Sequence, residues 1–143
     1  ATLVRELTLD GALLVTTPQD VARIDTARAL SMFRRAHVRV LGLVKNMSGF
    51  VCPHCGEVVE IFPTGQEQRE ALDELPVLSA IPLHPPTASS GDSGQPIVVS
   101  QPESAPALAF HALATSIASA LDGARARADV EEQAEGENGS ESV

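Results

Sequence analysis

The feature that most constrains the fold is a strand–helix–strand pattern in the first third of the chain. Residues 13–15 form an apolar run that is typical of a strand buried on both faces. Apolar residues then recur at helical spacing over 21–33, and residues 38–44 form a second apolar run. Two strands joined by a helix form a βαβ unit, so this pattern predicts a parallel sheet with a right-handed crossover.

The start of the first helix carries a recognisable capping pattern. Thr17 is the predicted N-cap, Pro18 occupies the first helical position, and Asp20 is the acidic partner three residues after the cap. After the second strand we expect a loop from residue 45 to about residue 58.

The rest of the chain continues the alternation of strands and helices. Thr64 and Glu67 predict a capping box for a short helix that runs through Leu75. Residues 77–81 are expected to form a third strand, which Pro82 and the prolines after it stop.

A loop rich in glycine, serine and proline follows this strand in the prediction. Residues 97–99 are then expected to be a short extended piece, and 102–121 an amphipathic helix that packs on the sheet. The predicted fold class is therefore three-layered α/β, with ligands at the carboxyl ends of the strands.

Charge and composition exclude several classes of protein. The chain has 10 basic and 19 acidic residues, for a formal net charge of −9, which disfavours nucleic-acid binding. No apolar run is long enough to span a membrane, and the first residues lack the pattern of a secretory signal. Residues 122–143 are acidic and poor in apolar side chains, so they are expected to be a disordered tail.

The chemistry is concentrated in the C-x-x-C motif of Cys52 and Cys55, which are the chain's 2 cysteines. Thiolates are soft ligands that suit zinc, copper(I) or iron–sulfur clusters, and a closed zinc site or a cubane cluster takes four ligands. None of the 4 histidines has ligand spacing to the pair. Two copies of the chain related by a two-fold axis would complete such a site.

Three other interpretations of the motif remain open. A redox dithiol usually opens a helix after a strand, whereas residues 49–51 and 57–59 here predict a hairpin-like knuckle. The pair could also stay unmetallated, or form half of a zinc knuckle that only holds two protomers together.

Five segments, in this order and spacing, resemble the Mrp/ApbC family of iron–sulfur carrier proteins. They are GALLVTTPQD at 11–20, VLGLVKNMS at 40–48, FVCPHC at 50–55, IPLH at 81–84 and GDSGQPIVV at 91–99. The resemblance covers residues 1–121, and residues 33–38 and 96–104 look most like the mitochondrial branch, the nucleotide-binding-protein-like assembly factor for respiratory complex I.

The resemblance implies a P-loop NTPase fold related to MinD and ParA and a homodimer that bridges one [4Fe-4S] cluster. Cys52 and Cys55 are then the cluster ligands, while Asn46 would hydrogen-bond adenine and Ile81, Pro82 and Leu83 would line its pocket. It also implies ATP and Mg²⁺ binding, delivery of the cluster to apo iron–sulfur client proteins, and a mitochondrial matrix location, with the cytoplasm as alternative.

The phosphate-binding loop of that family is not found among these 143 residues. No glycine-rich turn carries the lysine that such a loop requires, and the only lysine, Lys45, follows a predicted strand. We therefore expect that residues 1–121 are the C-terminal portion of the family domain, and that they do not hydrolyse ATP by themselves. A zinc-bridged module without cluster transfer is the alternative function, and a DNA-partitioning ATPase of the ParA type is a weaker one.

Overall fold

A computed structural model describes residues 9–52, 54–55, 57–62 and 70–138 of the chain. In chain order the elements are β1 (Ala12–Thr16), α1 (Asp20–Arg35), β2 (Val40–Val51), β3 (Val58–Val59), α2 (Glu70–Asp73), β4 (Val77–Leu83), α3 (Pro85–Asp92), α4 (Ile97–Ser100) and α5 (Ala105–Asn138).

The described strands form one sheet with β2 at its centre. β1 pairs with β2 in parallel, and β4 pairs with β2 in parallel on the other side. The short β3 is antiparallel to the far end of β2. The predicted βαβ unit and the mainly parallel sheet are thereby confirmed.

Helices cover both faces of the sheet. On one face, α1 and α2 pack against β1 and β2 through a core of four buried leucines: Leu14, Leu30, Leu43 and Leu72. Side chains alternate between faces along a strand, so Val44 and its β4 partner Ser79 lie on the other face. There the Ser79 hydroxyl donates to the carbonyl oxygen of Ala109 in α5 at 3.1 Å. The three-layered α/β class is therefore correct.

The start of α1 differs from the prediction. The helix begins at Asp20 with Gln19 as N-cap, and no side chain caps it. Gln19 is extended (φ −65°, ψ 139°), and its carbonyl oxygen accepts the first helical hydrogen bond, from the Arg23 amide at 3.1 Å. Because β1 continues to Thr16, the residues up to Gln19 serve as the turn between strand and helix, and Thr17 is not the cap.

The predicted loop after residue 44 is wrong over its first half, because β2 continues to Val51. Lys45 and Asn46 remain in register with Ala80 and Ile81 of β4, and this pairing satisfies backbone groups that a loop would leave to solvent. β4 is also longer than predicted. Pro82 lies inside it, which is possible because β2 is the only strand that pairs with β4 among the described residues.

Two segments after β4 are helical where extended or irregular backbone was expected. Pro85 opens α3, in agreement with the preference of proline for the first helical turn. Residues 97–99 lie in α4, where the amides of Val99 and Ser100 donate to the carbonyl oxygen of Pro96 and the amide of the C-cap Gln101 donates to that of Ile97. Burial of Ile97, which is 4% exposed, outweighs the strand preference of this β-branched run.

The last helix is longer than predicted at its C-terminal end. α5 begins at Ala105 and continues to Asn138, beyond residue 121, where the predicted helix ends. The expected disordered tail over 122–143 stays a prediction. Alanine, arginine and glutamate dominate this stretch, and these residues favour propagation of a helix that has already formed. Residues 139–143 and the predicted capping pair Thr64 and Glu67 lie outside the described residues. No helix in the described part of the chain is long and apolar enough to cross a membrane.

Candidate functional site

The C-x-x-C motif lies at the turn of a β-hairpin, which we call the cysteine hairpin (residues 50–59). Phe50 pairs with Val59 and Val51 with Val58. One step further, the Cys52 amide donates to the carbonyl oxygen of Glu57 at 2.9 Å. The structure therefore confirms the predicted hairpin, and residues 54–55 and 57–62, which it describes, do not form the helix that follows a redox C-x-x-C motif.

The entry to the cysteine hairpin depends on a glycine. Gly49 has φ +137°, and a Cβ atom at this position would lie 3.0 Å from Cγ1 of Val58. Only glycine adopts such a conformation readily, so the close approach of the two strands at this point requires Gly49. Met47, two residues earlier, also has a positive φ of 55°, so this part of β2 is irregular.

Both thiols are free and accessible. Cys52 is half-buried and Cys55 is exposed. Backbone N–H groups of Cys55 and then of His54 donate to the Cys52 sulfur, and with the Cys55 thiol they lower the pKa of Cys52, although burial acts in the opposite direction. Hydrogen bonds of this kind favour the thiolate, which is the form that binds metal.

The cysteine pair has no third metal ligand beside it among the described residues, where no group of three His, Cys, Asp or Glu side chains is found. His84 lies at the start of α3, where its Nδ1 atom is 3.1 Å from the Thr87 hydroxyl. His37 follows α1, and His111 lies within α5. One copy of the described chain therefore offers two thiols from Cys52 and Cys55.

The residues predicted to contact adenine lie on the two central strands. Asn46 of β2 is in register with Ile81 of β4, and Leu83 is in register with Phe50. The side-chain oxygen of Asn46 accepts a hydrogen bond from the Met47 amide at 2.9 Å. Its side-chain nitrogen is therefore the group that could donate to a purine. Asn46, Ile81, Pro82 and Leu83 thus occupy neighbouring positions at the carboxyl end of β4.

A second feature, which was not predicted from the sequence, is a cavity of about 240 Å³ at the carboxyl end of β1 and beside residues 45–49 of β2. We call it the edge cavity. Its lining comprises Thr16, Thr17, Pro18, Arg23, Lys45, Met47, Ser48, Gly49, Glu60, Ile61, Phe62 and Ala80. Arg23 lies one helical turn before Ala27 and two turns before Leu30, both of which pack in the core. A positive charge on the apolar face of α1 is therefore the sequence feature that could have identified this residue.

A mainly parallel sheet covered by helices on both faces defines a doubly wound α/β protein, a class in which ligands bind at the carboxyl ends of the strands. Among solved structures, the cell division ATPase MinD of Pyrococcus furiosus superposes with a TM-score of 0.57 at 29% identity. The match covers 77% of this chain and 43% of MinD.

The family model described as ParA, NUBPL iron-transfer P-loop NTPase, matches residues 1–118, and the chain belongs to this family. The iron-sulfur cluster carrier protein of Deinococcus radiodurans is 45% identical over 116 residues, which are 81% of this chain and 33% of that protein. The iron-sulfur protein required for NADH dehydrogenase, mitochondrial, of Arabidopsis thaliana is 42% identical over 130 residues, 90% of this chain and 42% of that protein. The chain thus spans less than half the length of these relatives.

Proposed function

We propose that this protein is an iron–sulfur cluster carrier that holds a [4Fe-4S] cluster between two copies of the chain. The observation that carries the proposal is the cysteine hairpin, in which Cys52 and Cys55 are free thiols at an accessible turn. The name of the Deinococcus relative, an iron-sulfur cluster carrier protein, also supports the proposal.

The number of ligands that a cubane cluster takes is the reason for proposing a dimer. A cubane cluster takes four thiolates, and one chain has 2 cysteines. Two hairpins related by a two-fold axis would provide the full set from one self-complementary contact. Such a cluster is cargo rather than a fixed cofactor, because separation of the two copies removes half of its ligands at once.

Hydrogen bonds within the turn assist this role. The backbone N–H groups that face Cys52 stabilise negative charge on its sulfur, and the thiolate is the form that binds iron. The same hydrogen bonds would tune the charge of a bound cluster.

Anaerobic reconstitution with iron and sulfide tests the proposal. We expect about two iron atoms and two sulfides per chain, the broad visible absorbance of a cubane cluster, and a shift from monomer to dimer in sedimentation. The double variant Cys52→Ala/Cys55→Ala should lose both the iron and the shift. His54→Ala is the matched control, since it changes the same turn but keeps both thiols and the backbone donors. Unchanged iron binding by the cysteine variant would refute the proposal.

A zinc-bridged interaction module is the second candidate, because a pair of cysteines in a β-hairpin is also half of a zinc knuckle. It predicts zinc, without sulfide, at about one ion for every two chains in protein purified without air. Iron with equimolar sulfide under the same conditions excludes it.

We further propose that the middle of β2 and the carboxyl end of β4 contact the adenine of ATP, with Asn46 as donor to the base and residues 81–83 as the apolar wall. Support comes from the register of Asn46 with Ile81, which is 7% exposed. Adenosine binding measured by calorimetry should weaken in Asn46→Ala. Equal affinity of the variant and the wild type would contradict this assignment. The phosphates and Mg²⁺ of ATP would contact parts of the family domain outside this chain.

Apo iron–sulfur proteins are the proposed partners, among them subunits of respiratory complex I. The name of the Arabidopsis relative supports both this client and a mitochondrial location, for which we propose the matrix, with the cytoplasm as the alternative. Transfer to a purified apo-client, followed by electron paramagnetic resonance of the client, tests the delivery step.

A further inference from the structure

We propose that the edge cavity is a binding site for a phosphate-type oxyanion, separate from the proposed adenine and cluster sites. The inference does not depend on the proposed function. It rests on the cavity, on the cations that line it, and on a buried arginine whose hydrogen-bonding capacity is unused within the described part of the chain.

Arg23 is the central residue. Its side chain is 8% exposed, and its Nε and Nη2 atoms are buried without a hydrogen-bond partner among the described residues. Arg23 forms an ion pair with Asp73, whose Oδ1 atom lies 3.6 Å from Nη2, a distance beyond hydrogen-bond range. The ion pair leaves the hydrogen-bonding capacity of Nε and Nη2 unused, and buried polar groups without hydrogen bonds are costly.

The two atoms without hydrogen bonds also specify the kind of ligand. Nε and Nη2 form one edge of the guanidinium, which binds two oxygens of a phosphate or a carboxylate at once. Both atoms are closed to water, so binding requires this edge to turn toward the cavity that the Arg23 side chain already lines.

The sheet places further donors around the same space. The register of the strands puts Thr16, Lys45 and Ala80 side by side, and all three line the cavity. Thr17 adds a hydroxyl group and Lys45 adds a second positive charge, whereas the Ser48 hydroxyl already donates to the carbonyl oxygen of Ile81 at 3.4 Å. A phosphate has more oxygens than a carboxylate and can therefore accept hydrogen bonds from more of these groups. The set of donors thus favours phosphate over carboxylate.

One carboxylate also lines the cavity, that of Glu60, and it opposes the binding of a free anion. The site is distinct from the proposed adenine contacts, because Asn46 and Ile81 follow Lys45 and Ala80 by one residue on their strands and point to the other face of the sheet.

Titration of the iron-free and nucleotide-free chain with inorganic phosphate, followed by calorimetry at low chloride, tests the site. We expect saturable binding that weakens at least about tenfold in Arg23→Met. Lys45→Gln, at an exposed position that should not affect folding, should weaken it severalfold, whereas Glu60→Gln should strengthen it. Arg28→Ala, on the exposed side of the same helix, is the control and should leave binding unchanged. Circular dichroism verifies that each variant is folded.

Sodium acetate is the carboxylate probe and should bind more weakly than phosphate. The proposal is overturned if neither the wild type nor Glu60→Gln binds phosphate, if Lys45→Gln binds it as tightly as the wild type, or if acetate binds more tightly than phosphate. None of these readouts involves iron, sulfide or adenosine, so their failure would leave the carrier proposal intact.

Discussion

The amide nitrogen of Cys52 lies 2.9 Å from the carbonyl oxygen of Glu57, and this hydrogen bond closes the turn that carries both thiols. It fixes the backbone of Cys52 to the opposite strand. The sulfur of Cys52 is then positioned in front of the amide groups of His54 and Cys55.

This arrangement predicts the pH dependence of thiol alkylation. The folded chain lowers the pKa of Cys52, so its thiolate persists at pH values where the thiol of the unfolded chain is already protonated. In Cys55→Ser, which leaves one thiol and keeps the backbone donors, the rate of iodoacetamide alkylation should rise with pH at a lower inflection in buffer than in urea. Coincident inflections would show that the turn does not stabilise the thiolate.

Acid should release the cluster. Protons compete with iron for thiolate sulfur, so reconstituted protein should lose its visible absorbance and return to monomer as the pH falls well below the range of free thiols. The measurement is absorbance with parallel sedimentation across a pH series. Full retention down to about pH 4 would argue against thiolate ligands.

Gly49→Ala should destabilise the cysteine hairpin. The φ of +137° is unfavourable for alanine, and the new Cβ atom would lie 3.0 Å from Val58 Cγ1, so we expect a loss of about 1–3 kcal/mol in the free energy of unfolding. Urea denaturation measures it. Gly91→Ala in α3 is the matched control, because nothing lies within 4 Å of its Cβ position, and it should be neutral or stabilise slightly.

Gly42→Ala should destabilise the sheet for a steric reason. A Cβ atom at position 42 would lie 2.6 Å from the carbonyl oxygen of Pro76. This oxygen belongs to the backbone, so it cannot move out of the clash as the end of a flexible side chain could. We expect a loss of about 1–3 kcal/mol in thermal or urea unfolding. Unaltered stability would mean that the segment before β4 is not held against β2 as described.

Leu30→Ala tests the core between α1 and the sheet. Leu30 is 1% exposed, so the variant should lose about 2–5 kcal/mol of unfolding free energy through lost burial and a residual cavity. Leu108→Ala in α5 makes the same chemical change at a position that is 53% exposed, and it should change stability by no more than about 0.5 kcal/mol. Equal losses in the two variants would place the core elsewhere.

The parts of the fold that follow from local pattern could be predicted from sequence. The apolar runs that became β1 and β2 and the helical period of α1 are independent of distant contacts. The cysteine hairpin could also be predicted, since apolar pairs flank a short turn that contains both cysteines.

The predictions were wrong where contacts between residues distant in sequence determine the backbone conformation. Proline usually ends a strand, yet β4 continues through Pro82 because Leu83 still pairs with Phe50. Residues 97–99 have strand-forming side chains, but the four-residue helix α4 buries Ile97 instead. Arg23 was overlooked in the sequence because its burial depends on packing that the helical period alone does not specify.

The length of β2 determines which binding functions a substitution in this strand affects. Lys45 at the edge cavity, Asn46 at the proposed base contact and Val51 next to the first thiol are all part of this one strand, with no loop between them. A shift of its register would therefore displace all three kinds of contact together. Substitutions within this strand should produce combined defects in anion, base and iron binding, whereas changes confined to the cysteine turn should separate iron binding from the other two.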